Sequence, residues 1–200
     1  MLQNLWEPLI DMTIDITENP VRELESLTPE EIGQWSSFTM VLDPLFERLS
    51  IRTCVELGAG YFSTPYLADK CDKLISYENY SNWMDKIKDM TKDKTNIDYK
   101  FKETENLSTF IGEDFCDLIL IDHSGDRKNA LIKALASRIP YIVVHDFELK
   151  DFEDLATPKG YYRFQNTELP VNPSALYTTN SFAVEFLLSL HQKHLEQFKR

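Results

Sequence analysis

The stretch VELGAGYFSTP, Val55 to Pro65, decides the fold. TCVEL, residues 53–57, is a short apolar run of the kind that forms a buried strand. Gly58 and Gly60 follow as a turn. STPYLADKC then reads as a helix, with Ser63 or Thr64 as its cap and Pro65 opening it. Strand, glycine turn and helix together bring backbone N–H groups up to a ligand. The third glycine of a dinucleotide loop is missing, because Phe62 and Ser63 stand where it would fall.

Downstream, the same alternation continues. KLISYE is a second strand and NWMDKIKDMTKD a second helix; IDYKFKET alternates as a third strand, and LSTFIGED is a short helical piece. CDLILID and PYIVVHD are continuous apolar strands, the pattern of strands buried on both faces, with the helix KNALIKALASR between them. The expected fold class is therefore α/β: a Rossmann-like, doubly wound and mostly parallel sheet with helices on both faces. Near the C-terminus YYRFQ and SALYTT, separated by NTELPVNP, predict an antiparallel hairpin. A last helix is expected from Phe182 to Phe198, with strand as the alternative for SFAVEFLL.

Residues 1–50 predict a helical N-terminal cap, and residues 51–200 one compact ligand-binding unit. Leu2, Leu5, Trp6, Leu9 and Ile10 recur at helical spacing. In SLTPEEIGQWSSFTMVLDPLFERL, Thr28 is an N-cap, Pro29 the first helical residue and Glu31 the partner in a capping box. Pro44 is expected to end or kink that helix. This segment either packs on the sheet or covers the acceptor side of a pocket, and the two roles are compatible.

The 200 residues carry a formal net charge of -12, which disfavours a phosphate backbone as partner. Lys86, Lys88, Lys92 and Lys94 alternate with Asp85, Asp89 and Asp93, the pattern of a solvated helix face rather than a basic patch. Cys54, Cys71 and Cys116 cannot all pair internally and form no CxxC motif, so a reducing cytoplasm is expected. No signal peptide and no membrane span is legible. The expected partner is a small-molecule acceptor, with neither nucleic acid nor membrane.

Glu56 separates the cofactor classes. A carboxylate two residues before Gly58 repels a pyrophosphate. S-adenosylmethionine has no phosphate and carries a sulfonium and an ammonium, which an acid favours. Glu78, eighteen residues after Gly60, stands where an acid accepts hydrogen bonds from ribose hydroxyls. Tyr80 and Trp83 follow, to line the adenosine site or face the core. The strand ends also gather Asp122, His123, His145 and Asp146, at the edge where such sheets bind ligands.

VELGAG, the acid of SYEN, DLILIDH and VVHD resemble the class I S-adenosylmethionine-dependent methyltransferases over residues 50–150. The resemblance implies a seven-stranded sheet whose last strand is antiparallel. It also implies that Glu56, Gly58, Ala59 and Gly60 surround the methionine part, with Glu78 at the ribose, and Ser63, Thr64 and Asn79 are further cofactor-binding candidates. IDHSGDRKNAL is similar to the corresponding segment of catechol O-methyltransferase-like enzymes. That similarity implies Mg2+ on Asp122 and Asp146, and His123 near the adenine. Gly125 replaces the basic lysine of those enzymes and Phe147 a metal-binding asparagine.

The expected activity is methyl transfer from S-adenosylmethionine to a small molecule, at oxygen, with His145 as base. Asp122 either holds a metal or hydrogen-bonds the cofactor's ammonium or the acceptor. Arg127 is expected to pair with Asp126 or Asp146 and shape the loop. Two other classes remain open on sequence: a non-catalytic adenosyl-ligand-binding protein of this fold, and a nicotinamide-dinucleotide oxidoreductase.

Overall fold

A computed structural model describes residues 26–104, 106–147, 152, 155–165 and 173–198, with side chains to residue 192. The expected helix over residues 2–10 and most of the loop NTELPVNP lie outside the described residues.

Seven strands form one sheet: β1 (Thr53–Leu57), β2 (Lys73–Glu78), β3 (Ile97–Phe101), β4 (Leu118–Ile121), β5 (Tyr141–Val144), β6 (Tyr162–Gln165) and β7 (Ala175–Thr178). Their order is β3-β2-β1-β4-β5-β7-β6, with β7 antiparallel to both β5 and β6 and every other pairing parallel. This is the doubly wound sheet and terminal hairpin expected from sequence. The chain leaves β1 toward β2 and β3, then crosses back to β4. The order thus reverses beside β1, where such sheets open a crevice.

The continuous apolar strands are explained by what covers them. Val55, Leu57, Ile119, Ile121, Ile142 and Val144 face α5 (Arg127–Ala136) on one side. Cys54, Leu118, Leu120 and Val143 face the other side. There they meet α2 (Thr39–Arg48), α3 (Ser63–Lys70) and α6 (Ser181–Phe198). Helix α4 (Ser81–Met90) places Met84 and Ile87 inward, and α6 settles SFAVEFLL as helix. The three cysteines are buried and unbridged. Among the described residues no helix is long and apolar enough to cross a membrane.

Two local expectations are corrected. The capping box at Thr28 and Glu31 opens α1 (Pro29–Trp35), but that helix stops well before Pro44. The Ser36 hydroxyl takes the Ile32 carbonyl at 2.7 Å, and a turn through Ser37 precedes α2. Pro44 sits inside α2, where its missing N–H falls opposite the carbonyl of exposed Met40. In α3, Ser63 and Thr64 are the first two helical residues rather than caps, and Pro65 is the third. The Thr64 hydroxyl is drawn back into the glycine turn. The short helical piece expected in LSTFIGED is present as a 3-10 turn, Leu107–Phe110.

Candidate active site

The parallel ladder continues one residue past several strands, and this aligns the site. Gly58 N–H donates to the Tyr77 carbonyl (2.9 Å), Asp122 N–H to Leu57 (2.9 Å) and His145 N–H to Ile121 (3.1 Å). Gly58, Glu78, Asp122 and His145 therefore share one edge of the sheet. A cavity of about 270 Å³ lies over that edge. Its walls include Gly58–Gly60, Glu78, Trp83, Asp122, His145 and, from α1, Trp35.

Gly58 is required twice over. Its φ is +92°, and a Cβ there would stand 2.5 Å from the Asp122 carbonyl oxygen and 2.8 Å from the His123 Cα. The turn between β1 and α3 thus lies directly against the end of β4. Ala59 N–H donates to Glu78 Oε2 at 3.1 Å, while Asn79 and Tyr80 N–H donate to Oε1 at 2.7 and 2.8 Å. Burial raises the Glu78 pKa, and these three amides oppose the rise. Glu78 is thereby the clamp between the two loops, with its carboxylate on the cavity wall. Trp83 reinforces the clamp by donating Nε1–H to the Ala59 carbonyl at 2.5 Å.

Glu56 occupies a different place. It is fully buried and forms no part of the cavity wall. Its Oε2 accepts the hydroxyls of Thr64 (2.7 Å) and Ser76 (2.6 Å). The same Thr64 oxygen accepts Gly60 N–H at 2.9 Å. Glu56 and Thr64 therefore hold the loop from beneath, and Ser63 is buried beside them.

At the other end, Asp122, His145 and Asp146 meet around Arg127. The guanidinium lies 3.4 Å from Asp122 Oδ1 and 3.0 Å from Asp146 Oδ2. It also donates to the carbonyls of His123 (2.7 Å) and His145 (3.2 Å). His145 Nδ1 is 3.0 Å from Asp122 Oδ1, though out of line for a straight hydrogen bond. Its Nε2 contacts the Ser37 hydroxyl at 2.9 Å and the Gln34 carbonyl at 3.2 Å. Burial resists charging of His145, but Asp122 and Asp146 outweigh it and raise the pKa. Asp146 has a φ of +53°, a left-handed conformation that aspartate tolerates and that is common at functional sites.

His123 is buried on the cavity wall. Gly125 N–H donates to its Nδ1 at 2.9 Å, which leaves the proton on Nε2. Burial, then the charge of Arg127, lowers its pKa to about 4, so the ring is neutral at physiological pH.

Asp122, His145 and Asp146 offer ligand atoms within 4.8 Å of one another, yet they do not fit magnesium. Magnesium prefers six oxygens in octahedral array. Here one donor is a ring nitrogen, and Arg127 already bridges both carboxylates. Asp126 points away to cap α5 through Asn129 N–H (2.9 Å). Phe147 stacks on Phe152 at 4.1 Å in the core. Millimolar magnesium should accordingly leave the thermal midpoint of the protein unchanged, as should thorough chelation. A stabilisation that saturates with magnesium would contradict this.

Sequence reasoning assigned no role to Trp35 or Ser37, which reach the site from α1 and the turn after it. Nothing in the pattern of SLTPEEIGQWSS marks them, because their role comes from a contact across 108 residues, Ser37 to His145. Arg127 was expected to pair with an acid, and it takes Asp146 together with Asp122.

No protein-family model matches this sequence, and no curated protein matches it. Solved structures do match it in three dimensions. A putative caffeoyl-CoA O-methyltransferase from Staphylococcus aureus superposes with a TM-score of 0.56 at 12% identity, covering 74% of this chain and 88% of that one. The fold is that of the class I methyltransferases. N-methyltransferase NodS from Bradyrhizobium japonicum WM9, in complex with S-adenosyl-L-homocysteine, shares this class I fold. Its TM-score is 0.51 at 16% identity, over 70% of this chain and 84% of that one. The 23S rRNA methyltransferase ErmE shares it at a TM-score of 0.50 and 12% identity, over 70% of this chain and 66% of its own.

Proposed function

We propose that this chain binds S-adenosylmethionine and transfers its methyl group to an oxygen of a small molecule. One observation carries the cofactor choice: the amides of Gly58, Ala59 and Gly60 are all engaged within the protein, so the glycines themselves offer none to a phosphate. Gly58 N–H is taken by Tyr77, Ala59 N–H by Glu78 and Gly60 N–H by Thr64. A pyrophosphate needs such amides. An adenosyl ligand needs an acid for its ribose, a requirement it shares with a dinucleotide, and Glu78 is on the wall to supply it. A carboxylate has about four lone-pair positions, so three amides leave room for a ribose hydroxyl. Asp122 lies further along the cavity, toward the cofactor's ammonium and the acceptor.

The acceptor enters beneath the N-terminal cap, whose described part supplies Trp35 to the wall and excludes water from the transfer. Residues 51–200 form the cofactor-binding unit. Methyl transfer is an in-line displacement, and holding the two partners aligned supplies much of its rate. His145 takes the acceptor's proton. Its raised pKa means that turnover rises with pH through a range displaced upward from that of an ordinary histidine, as the ring loses its own proton.

Structures of this fold in the comparison act on oxygen, nitrogen and RNA, so the fold alone does not choose an acceptor. The net charge of -12 and the acids at the cavity favour a small molecule over RNA. Three buried free thiols are consistent with the cytoplasm. A non-catalytic adenosyl-binding role has one observation in its favour, the engagement of His145 Nε2 by Ser37 and Gln34.

Calorimetric titration with S-adenosylmethionine, S-adenosylhomocysteine and NAD tests the cofactor. Both adenosyl ligands should bind and NAD should not. Tight NAD binding without either adenosyl ligand would refute the reading. Mass-spectrometric screening for methylated products then separates the enzyme from the binding protein.

A further inference from the structure

Among the described residues Glu56 is a carboxylate without a counter-charge. The groups facing it are the hydroxyls of Ser63 and Thr64 from α3, Ser76 from β2 and the neutral phenol of Tyr99 from β3. The charged group nearby is Asp122 beyond β4, of the same sign. Among the described residues Oε1 makes no well-formed hydrogen bond, although the Ser63 hydroxyl lies close to the carboxylate. An ionised carboxylate in such a place is costly unless something positive arrives. Asp122 differs, because it already has Arg127 and His145.

The site directly above Glu56 is the one proposed to receive a cation. Gly60 of the turn is joined to the Glu56 carboxylate through a single hydroxyl, that of Thr64. S-adenosylmethionine carries a sulfonium, an ammonium and a carboxylate, a net charge of plus one. Its demethylated product has lost the sulfonium charge and is neutral overall.

We propose that Glu56 is a charge-matching residue: protonated in the free protein, it releases its proton to solvent when the cationic cofactor settles on the turn above it. The residue thereby strengthens binding of S-adenosylmethionine relative to its product. This rests on the cofactor reading above and adds a residue that sets the preference between substrate and product forms. Burial, against the pull of the Ser63, Ser76 and Thr64 hydroxyls, lifts the Glu56 pKa to about 7, consistent with a proton held near neutrality.

The test is calorimetric titration of the full chain at about pH 7 in buffers of different ionisation enthalpy. Binding of S-adenosylmethionine should release up to about one proton, and S-adenosylhomocysteine fewer. Affinity for S-adenosylmethionine should rise with pH by at most about tenfold per unit. In Glu56→Gln both the buffer dependence and the pH slope should vanish, and the preference for S-adenosylmethionine over its product should shrink. A wild-type enthalpy independent of buffer would overturn the proposal, as would an unchanged slope in Glu56→Gln, which would assign the proton to another group such as His145. If Glu56→Gln does not fold, carboxyl carbon NMR of glutamate-labelled wild type gives the answer. A Glu56 signal already ionised at about pH 5 in the free protein refutes the idea. Absence of binding by either adenosyl ligand sinks the cofactor reading and this inference together, whereas binding without proton release sinks this inference alone.

Discussion

Gly58→Ala is expected to lose about 3 kcal/mol of stability or more and to abolish adenosyl-ligand binding. The methyl group meets backbone atoms, the Asp122 carbonyl oxygen at 2.5 Å and the His123 Cα at 2.8 Å, which no rotamer change can clear. The φ of +92° adds strain for any residue with a Cβ. Relief requires the turn to lift from β4, and that moves Ala59 off Glu78. Gly60→Ala should be much milder. Its added carbon meets the movable hydroxyl of Ser63 and no backbone atom within 3.4 Å. Chemical denaturation of the two variants checks the contrast; equal losses would show that the close approach at Gly58 is not what matters.

Glu78→Ala should weaken adenosyl-ligand binding by about 3 kcal/mol, more than a hundredfold, and destabilise the free protein as well. The truncation removes the ribose acceptor. It also leaves the buried amide of Ala59 unpaired, at about 1–3 kcal/mol, and the part-buried amides of Asn79 and Tyr80 at less. Glu78→Gln is expected to fall between. Its remaining oxygen can keep Asn79 and Tyr80, but its amide group then faces the N–H of Ala59. Binding isotherms for the three proteins give the order; a glutamine variant as weak as the alanine one would mean that charge alone matters. Tenfold weakening or less in Glu78→Ala would remove Glu78 from the ribose role.

The scaffold was legible because its signals are local. LILI and YIVV read as strands buried on both faces, and the two helical layers that cover them account for that reading. The glycine turn was legible because Gly58 has a conformation that other residues avoid. What the sequence did not reveal was the direction of individual side chains. Glu56 was expected to stand among the groups around the ligand, and it lies beneath the turn instead. A strand alternates its faces, and the side facing Ser76 and Thr64 is decided by the sheet as a whole. The metal acids were legible as a pair, but the guanidinium between them depends on how far α5 carries Arg127 back over the strand ends. Contacts such as Ser37 with His145 leave no periodic trace, since each is a single meeting of distant segments.

The position of β7 has a consequence for how the molecule is made. The strands that carry Gly58, Glu78, Asp122 and His145 are all translated before β6 begins, yet β5 gains its outer partner only when Ala175–Thr178 arrives. In the growing chain the ligand crevice can thus take shape while the edge of β5 is still bare. An apolar edge left open in this way is a template for pairing with another chain. The last strand must slide in beside β5, inside the position of β6, which precedes it in translation. Premature termination before residue 175 would therefore leave a nascent protein with most of its site and an adhesive flank, a species for chaperones to hold until the sheet is sealed.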